Sequence, residues 1–209
     1  QPQRFYPLGE TLAHVRGYVG EVSPKQLEKP EYQEKGFRPG DILGKGGVEQ
    51  YYDEFLRGKP GYRKVIVDSR GRVQSEIESV PPQAGQDLIL TIDLDLQRSA
   101  EQQLQESATK RGAIIATDPR NGEVLAMASA PSFDPNVFVQ RKSSPDRGKR
   151  IAAYWQDEGR PLYNRAIQGR YPPGSTWKIP MSVSGLRQGR ITVASSNLVC
   201  GGGIQIGSK

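Results

Sequence analysis

Two serines in this 209-residue chain are followed three residues later by a lysine: Ser175 with Lys178 in "GRYPPGSTWKIP", and Ser107 with Lys110 in "SATK". Serine is a weak nucleophile at neutral pH and needs a neighbouring proton acceptor. A spacing of three on a helix puts both side chains on one face, so Ser-x-x-Lys is a minimal nucleophile–base pair. The pattern is also cheap, with about one match expected by chance in a chain of this size. Ser175 has an ordinary alternative role, as the N-cap of a helix. Both roles use the same geometry, because free N–H groups and the positive end of a helix dipole would also stabilise an alkoxide or an oxyanion. Were Lys178 buried among Tyr171, Trp177 and the apolar helix face, its charged form would be disfavoured, as a base requires.

The remaining reactive side chains are few. The single histidine, His14 in "TLAHVRGYVG", is far in sequence from any serine with a matching signature and reads as structural rather than as a triad base. The single cysteine, Cys200, rules out an internal disulfide framework and a cysteine-rich zinc site. No metal ligand set stands out. The net charge of +6 could suit an anionic partner, but the basic residues are interrupted by acids. The densest run, "RKSSPDRGKR" (141–150), has no aromatic stacking platform and reads as a solvated loop rather than a nucleic-acid site.

The elements that must position Ser175 and Lys178 follow from pattern. "VEQYYDEFLRG" predicts one helix, with Val48, Tyr51, Tyr52, Phe55 and Leu56 on a face and Gly58 as its stop. "YRKVIVD", "SRG" and "RVQSEIE" predict two strands and a turn. "VPPQAG" is a stiff connector and the candidate boundary between residues 1–85 and 86–209. Beyond it, "DLILTI" predicts a strand. "DLDLQRSAEQQLQESATKRG" predicts a helix capped by Asp93 and ended by Gly112, with Leu96, Ala100, Leu104 and Ala108 as its buried stripe. Ser107 and Lys110 then lie in a solvated helix end. "GAIIATD", "PRNG" and "EVLAMAS" predict an apolar hairpin turning at Asn121-Gly122. Residues 130–169 read mostly as loop. Pro172, Pro173 and Gly174 set up a turn from which Ser175 opens a helix to about Gln188, with Pro180 tolerated in its first turn and Gly189 as its stop.

Composition frames these elements. Hydrophobic residues are 35%, mean hydropathy is −0.63, and 24 glycines with 16 prolines predict a loop-rich portion. No apolar run approaches the ~20 residues of a membrane span. The chain opens on "QPQRFYP" without a signal sequence and closes on "GGGIQIGSK", which reads as an internal piece of something longer.

The order of motifs resembles the class B penicillin-binding proteins, and among them the penicillin-binding protein 2 group of elongation-type D,D-transpeptidases. "YPLGETLAHVRGYVGEVS" is similar to their pedestal, "GDILGKGGVEQYYDEFLRGKPG" to the G-x-x-G-(I/V)-E block, and "GRV" (71–73) to the hairpin after it. "LTIDLDLQRSAE" resembles the junction helix, "GAIIATDPRNGEVLAMASAPSFDPN" the first hairpin of the transpeptidase domain, and "NRAIQGRYPPGSTWK" the nucleophile segment with its Ser-x-x-Lys.

The resemblance implies an α+β chain. An extended β-rich pedestal of the dimerisation type (1–85) is followed by the N-terminal part of a penicillin-binding/transpeptidase, serine β-lactamase-like α/β domain (86–209). It implies Ser175 as the acylated nucleophile and Lys178 as general base, with no cofactor and no metal. Implied partners are peptidoglycan stem peptides, β-lactams, and, through the pedestal, a SEDS-type glycosyltransferase (RodA) and MreC; none is a nucleic acid. Implied location is the bacterial inner membrane, by a single-pass anchor not in this sequence, with the catalytic part periplasmic. The family also carries Ser-x-Asn and Lys-(Ser/Thr)-Gly motifs. "SSN" (195–197) matches the first by letter only, in the stretch before Cys200, and the second does not occur, so this piece alone is expected to be inactive. A division-type transpeptidase, or a β-lactam sensor or non-catalytic scaffold that activates a polymerase, are the alternative readings.

Overall fold

Glycine and proline punctuation keeps the first ninety residues in short elements. The computed structural model describes residues 4–140 and 144–194. It begins with helix α1 (Ala13–Arg16), strand β1 (Val19–Glu21), helices α2 (Pro24–Leu27) and α3 (Pro30–Glu34), and strand β2 (Ile42–Gly44). Helices α4 (Gly47–Tyr51) and α5 (Asp53–Arg57) and strands β3 (Tyr62–Val67) and β4 (Val73–Val80) follow. Strands β1 and β2 pair antiparallel, Val19 opposite Gly44. Helix α4 lies so close to β2 that a Cβ on Gly44 would sit 1.9 Å from the Glu49 carbonyl oxygen.

The single helix predicted over 48–58 is two, broken at Tyr52. Its expected apolar face is not the buried one: Tyr51, Tyr52 and Phe55 are exposed, and Glu49 is buried. Charge pairing explains the inversion. Arg4 grips the Glu49 carboxylate at 2.9 Å, and the Tyr6 hydroxyl donates to it. Strands β3 and β4 form the predicted hairpin, its turn held by the Asp68 carboxylate accepting from Arg70 N and Arg72 N.

The strand predicted over 87–92 does not form. This stretch meets the following hairpin only near its end, through the Thr91 hydroxyl on Val124 O and Asp93 N on Leu125 O, too few bonds for a ladder. Asp93 then caps helix α6 (Leu94–Glu106), accepting from Asp95 N and Leu96 N. The helix ends before the predicted Gly112, because the Ser107 hydroxyl turns back onto Leu104 O and Lys110 takes a left-handed φ of 51°. Its buried stripe is Gln97, Ala100 and Leu104; Leu96 and Ala108 face out. Strands β5 (Gly112–Thr117) and β6 (Val124–Ala130) form the predicted hairpin, with Gly122 at φ 80° in the turn. One core cluster, Ala100, Leu104, Ala128 and Ala130 with Ile114, lies between α6 and the hairpin.

Where loop was expected after residue 130, the chain forms α7 (Asn136–Val139), α8 (Arg147–Gln156) and α9 (Arg165–Gln168). Part of the basic run read as loop is the first turn of α8. The helix is held by Ile151 and Tyr154, which join Ala13, Phe133, Phe138, Tyr18 and Leu162 in a second core cluster. Partners that distant in sequence leave little periodic signal in α8 itself.

The chain forms two compact units, Gln1–Gly169 and Arg170–Lys209. The second carries a 3₁₀ turn (Gly174–Trp177) running into α10 (Lys178–Arg187), with Gly189 at φ 65° just past its end. Among the described residues, no helix is long and apolar enough to cross a membrane.

Candidate active site

The geometry around Ser175 follows from the residues before it. Two prolines fix φ at 172 and 173, and Gly174 takes φ 54°, a left-handed value that a side chain disfavours. That reversal starts the 3₁₀ turn, in which Thr176 N and its hydroxyl both donate to Pro173 O. Lys178 N then donates to Ser175 O and the chain passes into α10. Pro180 is the third residue of that helix, where an amide N–H has no intrahelical partner to lose.

Ser175 does not cap either helix. Pro173 and Trp177 occupy the two capping positions, and neither the 3₁₀ turn nor α10 has a side-chain cap hydrogen bond. The capping role weighed from sequence is therefore not the one the structure gives Ser175. Its Oγ is left at the start of a helical segment with the Lys178 amine one turn along. A hydroxyl, backbone N–H groups and an amine in that order suit acyl transfer.

The burial that would favour an uncharged Lys178 is not found among the described residues. Lys178 is exposed, as are Tyr171, Trp177 (57%) and Ile179 (72%), because none of the described residues of this unit packs over that side of α10. The helix thus presents an apolar face, Ile179, Val183 and Leu186, while the exposed Met181 lies on its other side.

The second serine–lysine pair serves structure. Ser107 Oγ is 2.6 Å from Leu104 O at the end of α6, and Lys110 sits in the turn after it. His14, expected to be structural, is buried in α1 with its ring edge-on to Phe133 and Nε2 2.7 Å from Pro161 O. Burial is the main cause that lowers its pKa; the Pro161 carbonyl opposes this and the Arg165 charge adds to it. Burial and the Glu49 charge together hold the Tyr6 phenol above its usual range. Ser195–Asn197 and Cys200 lie outside the described residues.

Sequence reasoning missed a set of polar contacts, most of them part-buried, that tie the first forty residues to the segments after residue 90. Asn136 exchanges two hydrogen bonds with the Tyr6 backbone, both 2.9 Å. Leu12 N donates to the Glu101 carboxylate, Ser132 Oγ to Glu10 O, and Asn164 Nδ2 to His14 O. The available signal was polar residues set inside apolar blocks, as in "SFDPN" and "YNRAIQG".

Comparison with known proteins fits this architecture. Residues 1–90 match the Penicillin-binding Protein dimerisation domain, and residues 112–204 match the Penicillin binding protein transpeptidase domain. The chain belongs to the class B penicillin-binding proteins, as a dimerisation-type segment followed by part of a transpeptidase domain. It is 45% identical over 192 residues to the peptidoglycan D,D-transpeptidase MrdA of Escherichia coli (strain K12), covering 91% of this chain and 29% of that protein. It is 42% identical over 197 residues to the MrdA of Acinetobacter baumannii, covering 94% of this chain and 28% of that protein. The chain therefore spans less than a third of the length of these curated relatives. Among solved structures it resembles Pseudomonas aeruginosa PBP2 in complex with WCK 5153, with TM-score 0.69 and 38% identity over 92% of this chain and 37% of that one. It also resembles PBP2 in its complex with MreC from Helicobacter pylori, with TM-score 0.69 and 35% identity over 91% of this chain and 34% of that one.

Proposed function

We propose that this chain is part of an elongation-type peptidoglycan D,D-transpeptidase in which Ser175 is the nucleophile and Lys178 its general base. The supporting observation is a serine free of capping duty in the turn before α10, with a lysine three residues on, inside the stretch that matches the transpeptidase domain. Ser175 Oγ attacks the penultimate D-Ala carbonyl of a stem peptide while its proton passes to Lys178 Nζ. The tetrahedral oxyanion takes hydrogen bonds from backbone N–H groups, that of Ser175 among them. Collapse breaks the C–N bond to the terminal D-Ala, whose amine takes the proton, leaving an ester on Ser175. An amine of a neighbouring stem attacks the ester, forming the cross-link and returning a proton to Ser175 Oγ. A β-lactam acylates the same hydroxyl: attack on its carbonyl breaks the ring C–N bond, and the freed nitrogen takes the proton while staying tethered to the ester.

A desolvated amine rests uncharged at neutral pH and so is free to accept a proton, as a hydrated ammonium is not. In this reading the parts of the relatives that this chain does not span cover the apolar side of α10 and enclose Lys178, and they bring the Ser-x-Asn and Lys-(Ser/Thr)-Gly motifs. Residues 1–85 serve as the pedestal and 86–209 as the start of the transpeptidase domain. The MreC complex of the Helicobacter pylori relative supports MreC as a pedestal partner. A relative of TM-score 0.75 seen in a peptidoglycan synthase complex that coordinates polymerization and crosslinking supports a glycan polymerase as another. The catalytic part stands outside the inner membrane, where its substrate is.

Fluorescent penicillin on the full-length protein tests the assignment. Covalent label is expected on the wild type and none on Ser175→Ala. Lys178→Met should slow labelling by about 10²–10⁴-fold, the usual worth of a positioned base. Label that persists in Ser175→Ala would defeat it.

A further inference from the structure

Within the stretch that matches the dimerisation domain, α4, α5 and residues 83–86 border a cleft of about 930 Å³, a size that suits a small organic ligand. Backbone bonds fix its walls. Lys59 N and Gln83 N each donate to the other's carbonyl, at 3.0 and 2.9 Å, and Gln86 N donates to Phe55 O. Three rings that spacing assigned to a buried helix face stand open on it instead: Tyr51 (82% exposed), Tyr52 and Phe55. The two tyrosine rings lie edge-to-face, 4.9 Å between centroids. Around them are the exposed side-chain amides of Gln50, Gln83 and Gln86.

The charges on the cleft cancel. Glu54 pairs with Lys35 at 2.5 Å, Asp53 with Arg57 at 3.2 Å and Glu31 with Lys29 at 3.7 Å. No described lining carboxylate is left over for a basic ligand. Among the described lining residues Lys59 is the one cation outside these pairs, too little to hold a polyanion. Open rings, primary amides and no net field suit an uncharged carbohydrate. The C–H face of a pyranose lies against the negative face of an aromatic ring. An amide offers both the donors and the acceptor that sugar hydroxyls and acetamido groups need. An apolar peptide side chain would ask for aliphatic walls, and Leu43, which borders the cleft, is buried.

We infer that this cleft binds the sugar backbone of peptidoglycan, a β-linked chain of N-acetylated hexosamines, with Tyr51 as a stacking ring. The choice of polymer rests on the reading of the chain as part of a peptidoglycan transpeptidase. The muramyl carboxyls of a strand that bears stems are consumed in the amide bonds to those stems, so its backbone carries no charge. A hold on that backbone raises the effective concentration of the stem peptides it carries.

The probe is chitotetraose, an uncharged β-linked oligomer of N-acetylglucosamine, titrated calorimetrically into the full-length protein. Saturable binding is expected, and about 0.5 M salt should leave it unchanged, because no ion pair with the ligand is there to be screened. Tyr51→Ala should weaken it by about tenfold, whereas Tyr51→Trp, which keeps a ring, should not. Equal melting temperatures check that the fold is intact in both. No saturable binding by the wild type, equal affinity in Tyr51→Ala, or binding abolished by salt would each overturn the sugar site. The two readings fail separately. Penicillin label that survives Ser175→Ala defeats the nucleophile, whereas label as expected with no chitotetraose bound defeats the sugar site alone.

Discussion

At the residue scale, what distinguishes the two serine–lysine pairs is what each hydroxyl is already bonded to. Ser107 is committed to the end of α6, whereas Ser175 follows a left-handed glycine and caps nothing. The sequence alone could count the pairs but not see these bonds. His14 shows a second residue-scale effect, with a measurable pH dependence. Burial lowers its pKa in the folded state, while in the unfolded chain it titrates near its ordinary value of about 6.5. Above that value both states carry a neutral ring and the group takes nothing from stability. As pH falls below about 6.5 the unfolded state binds the proton first, so stability declines until the folded pKa is passed. Urea midpoints measured between about pH 8 and pH 5 should therefore fall at the acid end, and the fall should be smaller in His14→Gln. Parallel profiles for the two proteins would contradict this assignment. Carboxylates common to both proteins contribute equally and cancel in the comparison.

At the element scale, the hairpin β5–β6 and the cap of α6 were legible because turn glycine, Asn-Gly and Asp N-cap are local signals. The stripe of α6 was misread by one position because its first buried member is polar. Gln97 is fully buried at 0% exposure, and its amide closes a two-way bond with the Met127 backbone in β6, N–H to Oε1 at 2.7 Å and Nε2 to C=O at 3.1 Å. It fills the spacing 97, 100, 104 that an apolar count assigns to Leu96. Helix α8 was missed for a related reason, since Ile151 and Tyr154 find their partners across the chain rather than within the helix. Gln97→Leu preserves bulk but strips Met127 of both partners, at a cost of about 1–3 kcal/mol. In a folding unit of about 150–250 residues each kcal/mol lowers the melting temperature by about 2–4 °C. The control, Leu96→Gln on the exposed face, should stay within about 0.5 kcal/mol. Thermal unfolding followed by circular dichroism compares them, and equal effects would show that Gln97 does no more than fill space.

At the scale of the whole molecule, the N-terminal forty residues are bound to the later segments both by the apolar cluster that sets Ala13 and Tyr18 against Phe133 and Phe138 and by a set of polar bonds. Tyr6, Glu10, Leu12 and His14 each meet a side chain or carbonyl from beyond residue 100, and Asn136 is the most fully engaged of these partners. Its amide mimics a neighbouring strand for Tyr6, accepting from the backbone N–H and donating to the carbonyl. The Tyr6 hydroxyl, at the other end of the residue, donates to Glu49 of α4, which also pairs with Arg4. Bonds of this kind make the two regions open together rather than one at a time, since a polar latch released at one end leaves buried groups unsatisfied at the other. Hydrogen exchange on the full-length protein should accordingly give the amides of residues 12–19 and 124–130 similar opening free energies. Asn136→Asp keeps the acceptor for Tyr6 N but sets a carboxylate oxygen against the Tyr6 carbonyl, and Asn136→Ala removes both bonds. Each should raise exchange in both regions in step, by about 10-fold for a loss near 1.4 kcal/mol, with Asp no better than Ala. Faster exchange confined to residues 12–19 would mean that the first region unfolds alone and that the polar latch does not couple them.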